Sequence, residues 1–110
     1  MAKKIFVAGP YNTPDDVVKE YRMNTIKDYC VKQFLDGNSP ISALLMGLVY
    51  AEHAELPTDT DTWRTFSETL LKGCDELHVL MVDGWELSSG VKSEIESANK
   101  LGIPIKYIAI

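Results

Sequence analysis

The chain is organised around residues 83–94, which read Asp83-Gly84-Trp85-Glu86-Leu87-Ser88-Ser89-Gly90-Val91-Lys92-Ser93-Glu94. An apolar run at 76–82 precedes this stretch and has the pattern of a buried strand. An amphipathic helix is predicted from about residue 89 to residue 101, and a second apolar run at 104–110 follows it. A glycine- and serine-rich turn between a strand and a helix start is a common place for an α/β protein to bind an anion.

Glu94 lies on the apolar side of this predicted helix. With about 100° per residue, Val91, Ile95 and Ala98 fall within one narrow arc, and Glu94 lies close to it. A carboxylate on an inward face is costly unless it is paired or serves a pocket. Two interpretations are open: Glu94 serves a ligand pocket, or it lies at the margin of the apolar stripe and favours the helix N-terminus.

The turn residues also have two interpretations each. One of Ser88 and Ser89 can cap the helix, with Gly90 merely tolerated in its first turn. Alternatively, these three residues form a phosphate cradle of hydroxyl and free N–H groups. Trp85 is either a packed, buried side chain or an aromatic platform for a base or sugar.

The other elements alternate between strand and helix. Residues 4–8 have the continuous apolar pattern of a buried strand, and Thr13 is the predicted N-cap of the helix that follows. The region 46–54 is compatible with a short helix or a loop. The predicted strands are 4–8, 40–45, 76–82 and 104–110, and the predicted helices are 14–35, 61–72 and 89–101.

This order predicts a single-domain, three-layer α/β sandwich with a mostly parallel sheet of four or five strands. The expected spatial order is 2-1-3-4, so that chain direction reverses between the first and third strands. Ligands bind outside the carboxyl ends of strands at such a switch point. The loops leaving these two strands are 9–12 and 83–89, and both have unusual compositions.

Composition excludes several classes of protein. The net charge of −5 disfavours a nucleic-acid polymer as partner, and no apolar run approaches the length of a membrane span. We therefore expect a cytoplasmic protein in which Cys30 and Cys74 are reduced thiols. We identify no set of metal ligands and expect no cofactor.

Several motifs, taken together and in order, resemble the nucleoside 2-deoxyribosyltransferase superfamily, which includes the 2'-deoxynucleoside 5'-phosphate N-hydrolases. The resemblance covers nearly the whole chain, residues 1–110, as one domain, and it implies a flavodoxin-like fold. The motifs are Phe6-Val-Ala-Gly-Pro-Tyr11, Leu56-Pro-Thr-Asp59, Trp63, Gly73-Cys-Asp-Glu-Leu77, Gly84-Trp85 and Ser88-Ser-Gly-Val-Lys-Ser-Glu94-Ile-x-x-Ala98-x-x-x-Gly102-Ile-Pro104.

The resemblance implies cleavage of an N-glycosidic bond in a (deoxy)nucleoside or its 5'-monophosphate. Glu94 corresponds to the family's nucleophile, which attacks C1' and releases the base. Ser88 corresponds to the position at which the nucleotide hydrolases meet the 5'-phosphate. The implied substrate-binding residues are Gly9, Pro10, Trp85, Ser88, Ser89 and Gly90.

The sequence departs from the family at two positions. Phe6 stands where the family has a tyrosine that orients the glutamate, and Tyr11 is the candidate to replace it. Ser67 lies near the position of the aspartate that protonates the base, with Asp61 and Glu68 as the nearest acids. These departures motivate an alternative hypothesis, a nucleotide-binding module that is catalytically weak or inactive. The resemblance and the small size of the chain also imply a homo-oligomer, a dimer or a tetramer.

Overall fold

The computed structural model describes residues 2–110, in which helices separate successive strands along the chain. Its sheet contains four parallel strands in the spatial order β2-β1-β3-β4. The strands are β1 (Lys4–Ala8), β2 (Ser39–Ile41), β3 (Glu76–Met81) and β4 (Ile105–Ala109). The predicted order 2-1-3-4 is confirmed, and the first four strands of a flavodoxin-like sheet have this arrangement.

Four α-helices connect and cover the strands, and a single 3₁₀ turn at Trp85–Leu87 follows β3. None of the helices within residues 2–110 combines the length and the apolar character needed to cross a bilayer. The helices are α1 (Asp16–Leu35), α2 (Ala43–His53), α3 (Thr60–Leu71) and α4 (Ser89–Leu101).

The core has two layers because successive strand residues point to opposite faces of the sheet. Phe6 belongs to the cluster that packs against α3 and α4, including Leu71. Its neighbour Val7 belongs to the other cluster, which packs against Ile26 of α1. One face of the sheet is thus covered by α3 and α4, and the other by α1.

The first helix begins later than predicted, and its N-cap is Asp15 rather than Thr13. The Asp15 carboxylate accepts hydrogen bonds from the N–H groups of Val17 and Val18 at 2.9 and 3.2 Å. Thr13 instead accepts a bond from the N–H of Asp15 at 3.3 Å. A carboxylate at a helix N-terminus satisfies two free donors and interacts favourably with the helix dipole, which explains the choice.

The second strand was predicted to reach residue 45, and this is wrong. β2 ends at Ile41, and Ser42 caps α2 by accepting a hydrogen bond from the N–H of Leu45 at 3.2 Å. The apolar residues 43–45 therefore begin a helix, which continues to His53. Short apolar runs do not distinguish a buried strand from a buried helix, and the serine cap decides between them.

A buried polar network lies at the amino end of β3. The ring of His78 contacts the Tyr29 hydroxyl at 2.6 Å and a Glu76 carboxylate oxygen at 2.7 Å. A hydrogen bond from Lys3 and a second from His78 lower the pKa of Glu76 to about 2. Because this carboxylate is ionised at neutral pH and can only accept, Nε2–H of His78 donates to it, and Nδ1 forms the hydrogen bond with the Tyr29 hydroxyl.

Candidate functional site

A cavity of about 890 Å³ lies at the carboxyl ends of β1 and β3. Its walls come from the loop after β1, Arg22 of α1, helices α2 and α3 with the loop that joins them, and the loop after β3 with the first turns of α4. This is the switch point at which the order of the sheet reverses. The position agrees with the one expected from the two loops 9–12 and 83–89.

Glu94 lies on the cavity wall, about one turn into α4. Its side chain is half-buried. Protein atoms surround the side chain closely on every side except the one that faces the cavity. Loss of solvation raises the pKa of Glu94 to about 8, and a hydrogen bond from the Ser67 hydroxyl of α3 opposes this rise only in part. Most of the Glu94 carboxyl groups are therefore protonated at pH 7.

The residues before Glu94 form the adjacent part of the wall. Ser88 is the N-cap of α4, and its hydroxyl oxygen accepts a hydrogen bond from the N–H of Val91 at 3.2 Å. Its hydroxyl proton is still free to donate. Ser89 and Gly90 line the cavity and are exposed, and the first N–H groups of a helix have no acceptor within it. Ser88 therefore caps α4, and free N–H donors remain at the same helix N-terminus, so the two interpretations of this turn are compatible.

Gly90 is not required by packing. A Cβ atom added there would have a single near neighbour, the Ser88 hydroxyl oxygen at 3.9 Å. Its φ angle is not positive either, so another residue could adopt its conformation. The consequence of the glycine is instead a wider cavity beside the helix N-terminus, where an anionic group can approach the backbone closely.

Gly9, Pro10 and Tyr11 form the opposite wall. Gly9 lies in a tight space, because an added Cβ atom would lie 3.0 Å from the side chain of Ile26, which would have to shift by a few tenths of an ångström. Pro10 is fully buried, whereas Tyr11 is half-buried and its ring lies 5.6 Å from the ammonium group of Lys19. The structure therefore brings the three residues to the same cavity as Glu94 and residues 88–90.

Arg22 holds the two walls together, and the sequence did not reveal this role. Its guanidinium donates from Nη1 to the carbonyl oxygen of Asn12 at 3.1 Å and from Nη2 to that of Asp83 at 3.0 Å. A Cβ atom at Gly84 would lie 2.5 Å from Nη2, so glycine allows this close approach. The only sequence signal is the position of Arg22 on the same side of α1 as the buried Ile26. This signal does not distinguish an arginine that bridges two loops from an arginine on the surface.

Helices α2 and α3 close the remaining side. The indole N–H of Trp63 donates to the carbonyl oxygen of Pro57 at 2.8 Å, and its ring packs against Gly47 and Phe66. A Cβ atom at Gly47 would lie 2.8 Å from the Trp63 ring, which explains the glycine. Trp63 thus fixes the spacing between α2 and α3.

Two carboxyl side chains line the cavity among the described residues 2–110, those of Glu55 and Glu94. Asp61 and Glu68, the acids nearest to Ser67 in the sequence, do not line it. Asp61 forms an ion pair with Arg64 at 2.6 Å, one turn away on the exposed side of α3. Sequence reasoning missed Glu55, which lies in a loop with no periodic pattern to mark its direction.

Two residues named from the sequence lie elsewhere. Trp85 does not line the cavity; its ring packs against Tyr107 of β4, with ring centroids 5.6 Å apart, and against the core cluster of α3 and α4. This is the packed role considered as one of its two interpretations. Phe6 is fully buried in the same cluster and supplies no hydrogen-bond donor to the site.

The fold and the site define an α/β protein with a cavity at its switch point, a carboxyl group in the wall and a helix N-terminus beside it. The chain belongs to the family described as "Domain of unknown function (DUF1937)", which matches residues 3–109. A search of curated proteins gave no match.

Proposed function

We propose that the protein is an N-glycosidase or deoxyribosyltransferase that cleaves the N-glycosidic bond of a (deoxy)nucleoside 5'-monophosphate or nucleoside. The proposal is supported chiefly by one observation. The Glu94 carboxyl shares a cavity with a helix N-terminus that carries Ser88, Ser89 and Gly90. A nucleophile for the sugar and a binding site for its phosphate would thus lie side by side.

The reaction would proceed in two displacements. An ionised Glu94 oxygen forms a bond to C1' while the C1'–N bond breaks, and the electron pair of that bond leaves with the base, which takes up a proton. Water or a second base then bonds to C1', releases the carboxylate and loses its own proton. Glu55 is the second carboxyl on the wall and is exposed to solvent, so we assign the proton that the departing base takes up to water rather than to a side chain.

The direct test is to incubate the protein with deoxynucleosides and their 5'-monophosphates and to measure free base by chromatography. We expect release that Glu94→Gln abolishes and that the matched control Glu96→Gln, an exposed position on the same helix, retains. Release should rise about tenfold from pH 7 to a plateau above pH 8, because the carboxylate form of Glu94 increases in that range. Base release that survives Glu94→Gln would contradict the assignment of the nucleophile.

The phosphate preference needs a separate comparison. Ser88→Ala removes a hydroxyl donor at the helix N-terminus, so it should raise KM for a 5'-monophosphate and leave KM for the matching nucleoside unchanged. The same substitution also removes the cap of α4, so thermal unfolding of the variant is measured alongside. Equal changes in both KM values would contradict a phosphate site at Ser88.

A second candidate is a nucleotide-binding module without turnover. It is favoured by the largely protonated Glu94 and by Ser67, a poor acid, as its hydrogen-bond partner. Calorimetry with nucleoside monophosphates distinguishes the two, since binding without base release supports the module. If no nucleotide binds, both proposals fail.

Neither proposal requires a metal or a cofactor, and both are compatible with the net charge of −5, which disfavours a nucleic-acid polymer. We also propose a cytoplasmic location, which the free thiols of Cys30 and Cys74 support.

A further inference from the structure

Helix α1 has a second apolar face that points away from the sheet. Four large apolar residues on it are strongly exposed: Val17 at 78%, Tyr21 at 55%, Val31 at 56% and Leu35 at 77%. Isolated exposed apolar residues are common, but these four lie on one side of one helix, as one pair towards each end.

This stripe has the spacing of a coiled-coil seam. Its residues are separated by alternating steps of four and three positions, which is the heptad spacing of helices that pack side by side. We call this set the α1 seam; in order it consists of Val17, Tyr21, Asn24, Asp28, Val31 and Leu35. All six residues are exposed.

The opposite side of α1 already serves the fold. Ile26, Tyr29 and Gln33 are buried against the sheet. Placed at about 100° per residue, they lie roughly half a turn from the α1 seam. Within residues 2–110, no other element covers the seam, so it is not a part of the monomer core.

We propose that the α1 seam is a dimer interface, on which α1 of a second copy of this chain packs antiparallel about a two-fold axis level with residue 26. The two-fold axis would place Asn24 against the partner's Asp28. It would also place Tyr21 against the partner's Val31, and Val17 against the partner's Leu35. All six seam positions thus find a complementary position in one register, and the proposal is independent of the reaction catalysed.

The polar centre of the seam selects this arrangement. In the antiparallel register, the Asn24 amide donates to the carboxylate of the partner's Asp28, and symmetry creates the bond twice. A parallel pair would place Asp28 against the partner's Asp28, and two like charges would face each other. A polar pair inside an apolar seam costs stability but fixes register and orientation. The antiparallel helix dipoles add a favourable contribution.

One flanking contact is unfavourable in this register. Lys27 borders the seam and would face the partner's Lys27 close to the two-fold axis. Its flexible four-carbon side chain allows the ammonium group to remain in solvent, so the repulsion is screened.

A self-complementary seam fits a second copy of the chain better than an unrelated helix, which would need its own amide and carboxylate at matching positions.

The first experiment measures mass by light scattering and sedimentation over a concentration series. We expect twice the mass of one chain at high concentration, and a dissociation constant that rises at least tenfold in Val31→Glu. The matched control is Val49→Glu, because Val49 is 60% exposed but lies on α2, outside the seam. A wild-type protein that stays monomeric at every concentration, or equal weakening by the two substitutions, would overturn the proposal.

The second experiment tests the register by compensation. Asn24→Asp places two carboxylates against each other in each pair, so it should weaken the dimer at least tenfold. Adding Asp28→Asn restores one amide and one carboxylate per pair, and the double variant should recover the wild-type dissociation constant. Because residues 24 and 28 are both exposed in the monomer, these changes leave folding intact. Failure of the double variant to recover would overturn the antiparallel register.

A chemical cross-link provides a readout independent of affinity. An Asn24→Cys variant mixed with an Asp28→Cys variant should form a disulfide-linked dimer under copper-phenanthroline oxidation, faster than either variant alone. The native thiols interfere little, since Cys74 is buried and burial raises the pKa of Cys30 to about 11. Equal cross-linking of the mixture and of each single variant would contradict the proposed pairing.

Discussion

Replacing Glu94 by glutamine should change the pH dependence of folding stability. The substitution keeps the shape of the side chain and its contact with Ser67, but the amide is neutral at every pH. In the wild-type protein, burial raises the pKa of Glu94 from 4.5 to about 8, so the folded state holds a proton that the unfolded state has already released. Wild-type stability must therefore fall as pH rises from 4.5 to 8, and this contribution is absent from Glu94→Gln.

The size of the effect follows from the pKa difference. The interval between 4.5 and about 8 is roughly 3.5 pH units, and each unit corresponds to about 1.4 kcal/mol. Glu94 thus imposes no loss of stability below pH 4.5. Above pH 8, it lowers the free energy of unfolding by up to about 5 kcal/mol. Between pH 5 and pH 8, the free energy of unfolding of Glu94→Gln should gain about 3 kcal/mol relative to the wild type.

Urea unfolding of the two proteins at pH 5, 6, 7 and 8 measures this difference. The other carboxyl groups are the same in both proteins, so their contributions cancel. Glu96→Gln is the control, because Glu96 is exposed on the same helix, and its stability difference from the wild type should not vary with pH. A constant difference for Glu94→Gln across this range would refute the argument, since it would mean that Glu94 is ionised in the folded protein at neutral pH.

Two further predictions concern contacts outside the cavity centre. Gly84→Ala should lower the free energy of unfolding by about 1–3 kcal/mol in urea, because φ is +91° and the added Cβ atom would lie 2.5 Å from Arg22. Glu76→Gln should cost about 1–3 kcal/mol at pH 7 and progressively less between pH 4.5 and pH 2, where the wild-type carboxylate itself becomes protonated. A loss for Glu76→Gln that is the same at pH 7 and pH 3 would contradict the lowered pKa of Glu76.

The sheet could be predicted from the sequence because its central strands are continuous apolar runs. Such runs at 4–8 and 76–82 are typical of strands buried on both faces, and short connections then leave few topologies. The second strand was misjudged at its end because residues 43–45 are apolar in either conformation. Only the hydroxyl of Ser42, which caps the helix, decides between them.

The walls of the cavity could also be predicted, because the loops after the first and third strands meet at the carboxyl edge of a parallel sheet. The periodicity of α4 placed Glu94 on its inward side, and the structure places it on the cavity wall. The resemblance drew attention to Ser67 only as a departure from the superfamily's pattern, and in the structure its hydroxyl donates a hydrogen bond to the Glu94 carboxyl.

Contacts between distant segments could not be predicted. Arg22 is separated from Asp83 by 61 positions, and no local pattern indicates that they touch. The packing of Trp85 on Tyr107 likewise depends on how the loop after β3 folds back over the edge strand. In both cases the contact is set by tertiary packing rather than by the properties of neighbouring residues.

The hydrogen bonds of Arg22 have a consequence for how this family can diversify. Both of its acceptors are main-chain carbonyl oxygens, of Asn12 and Asp83, and every amino acid supplies such an oxygen. Substitutions at Asn12, which lines the cavity, can therefore change the chemistry of its rim while the hydrogen bonds of Arg22 between the walls stay in place. We expect the side chains at these two loop positions to vary among relatives, and Arg22 and Gly84 to be retained.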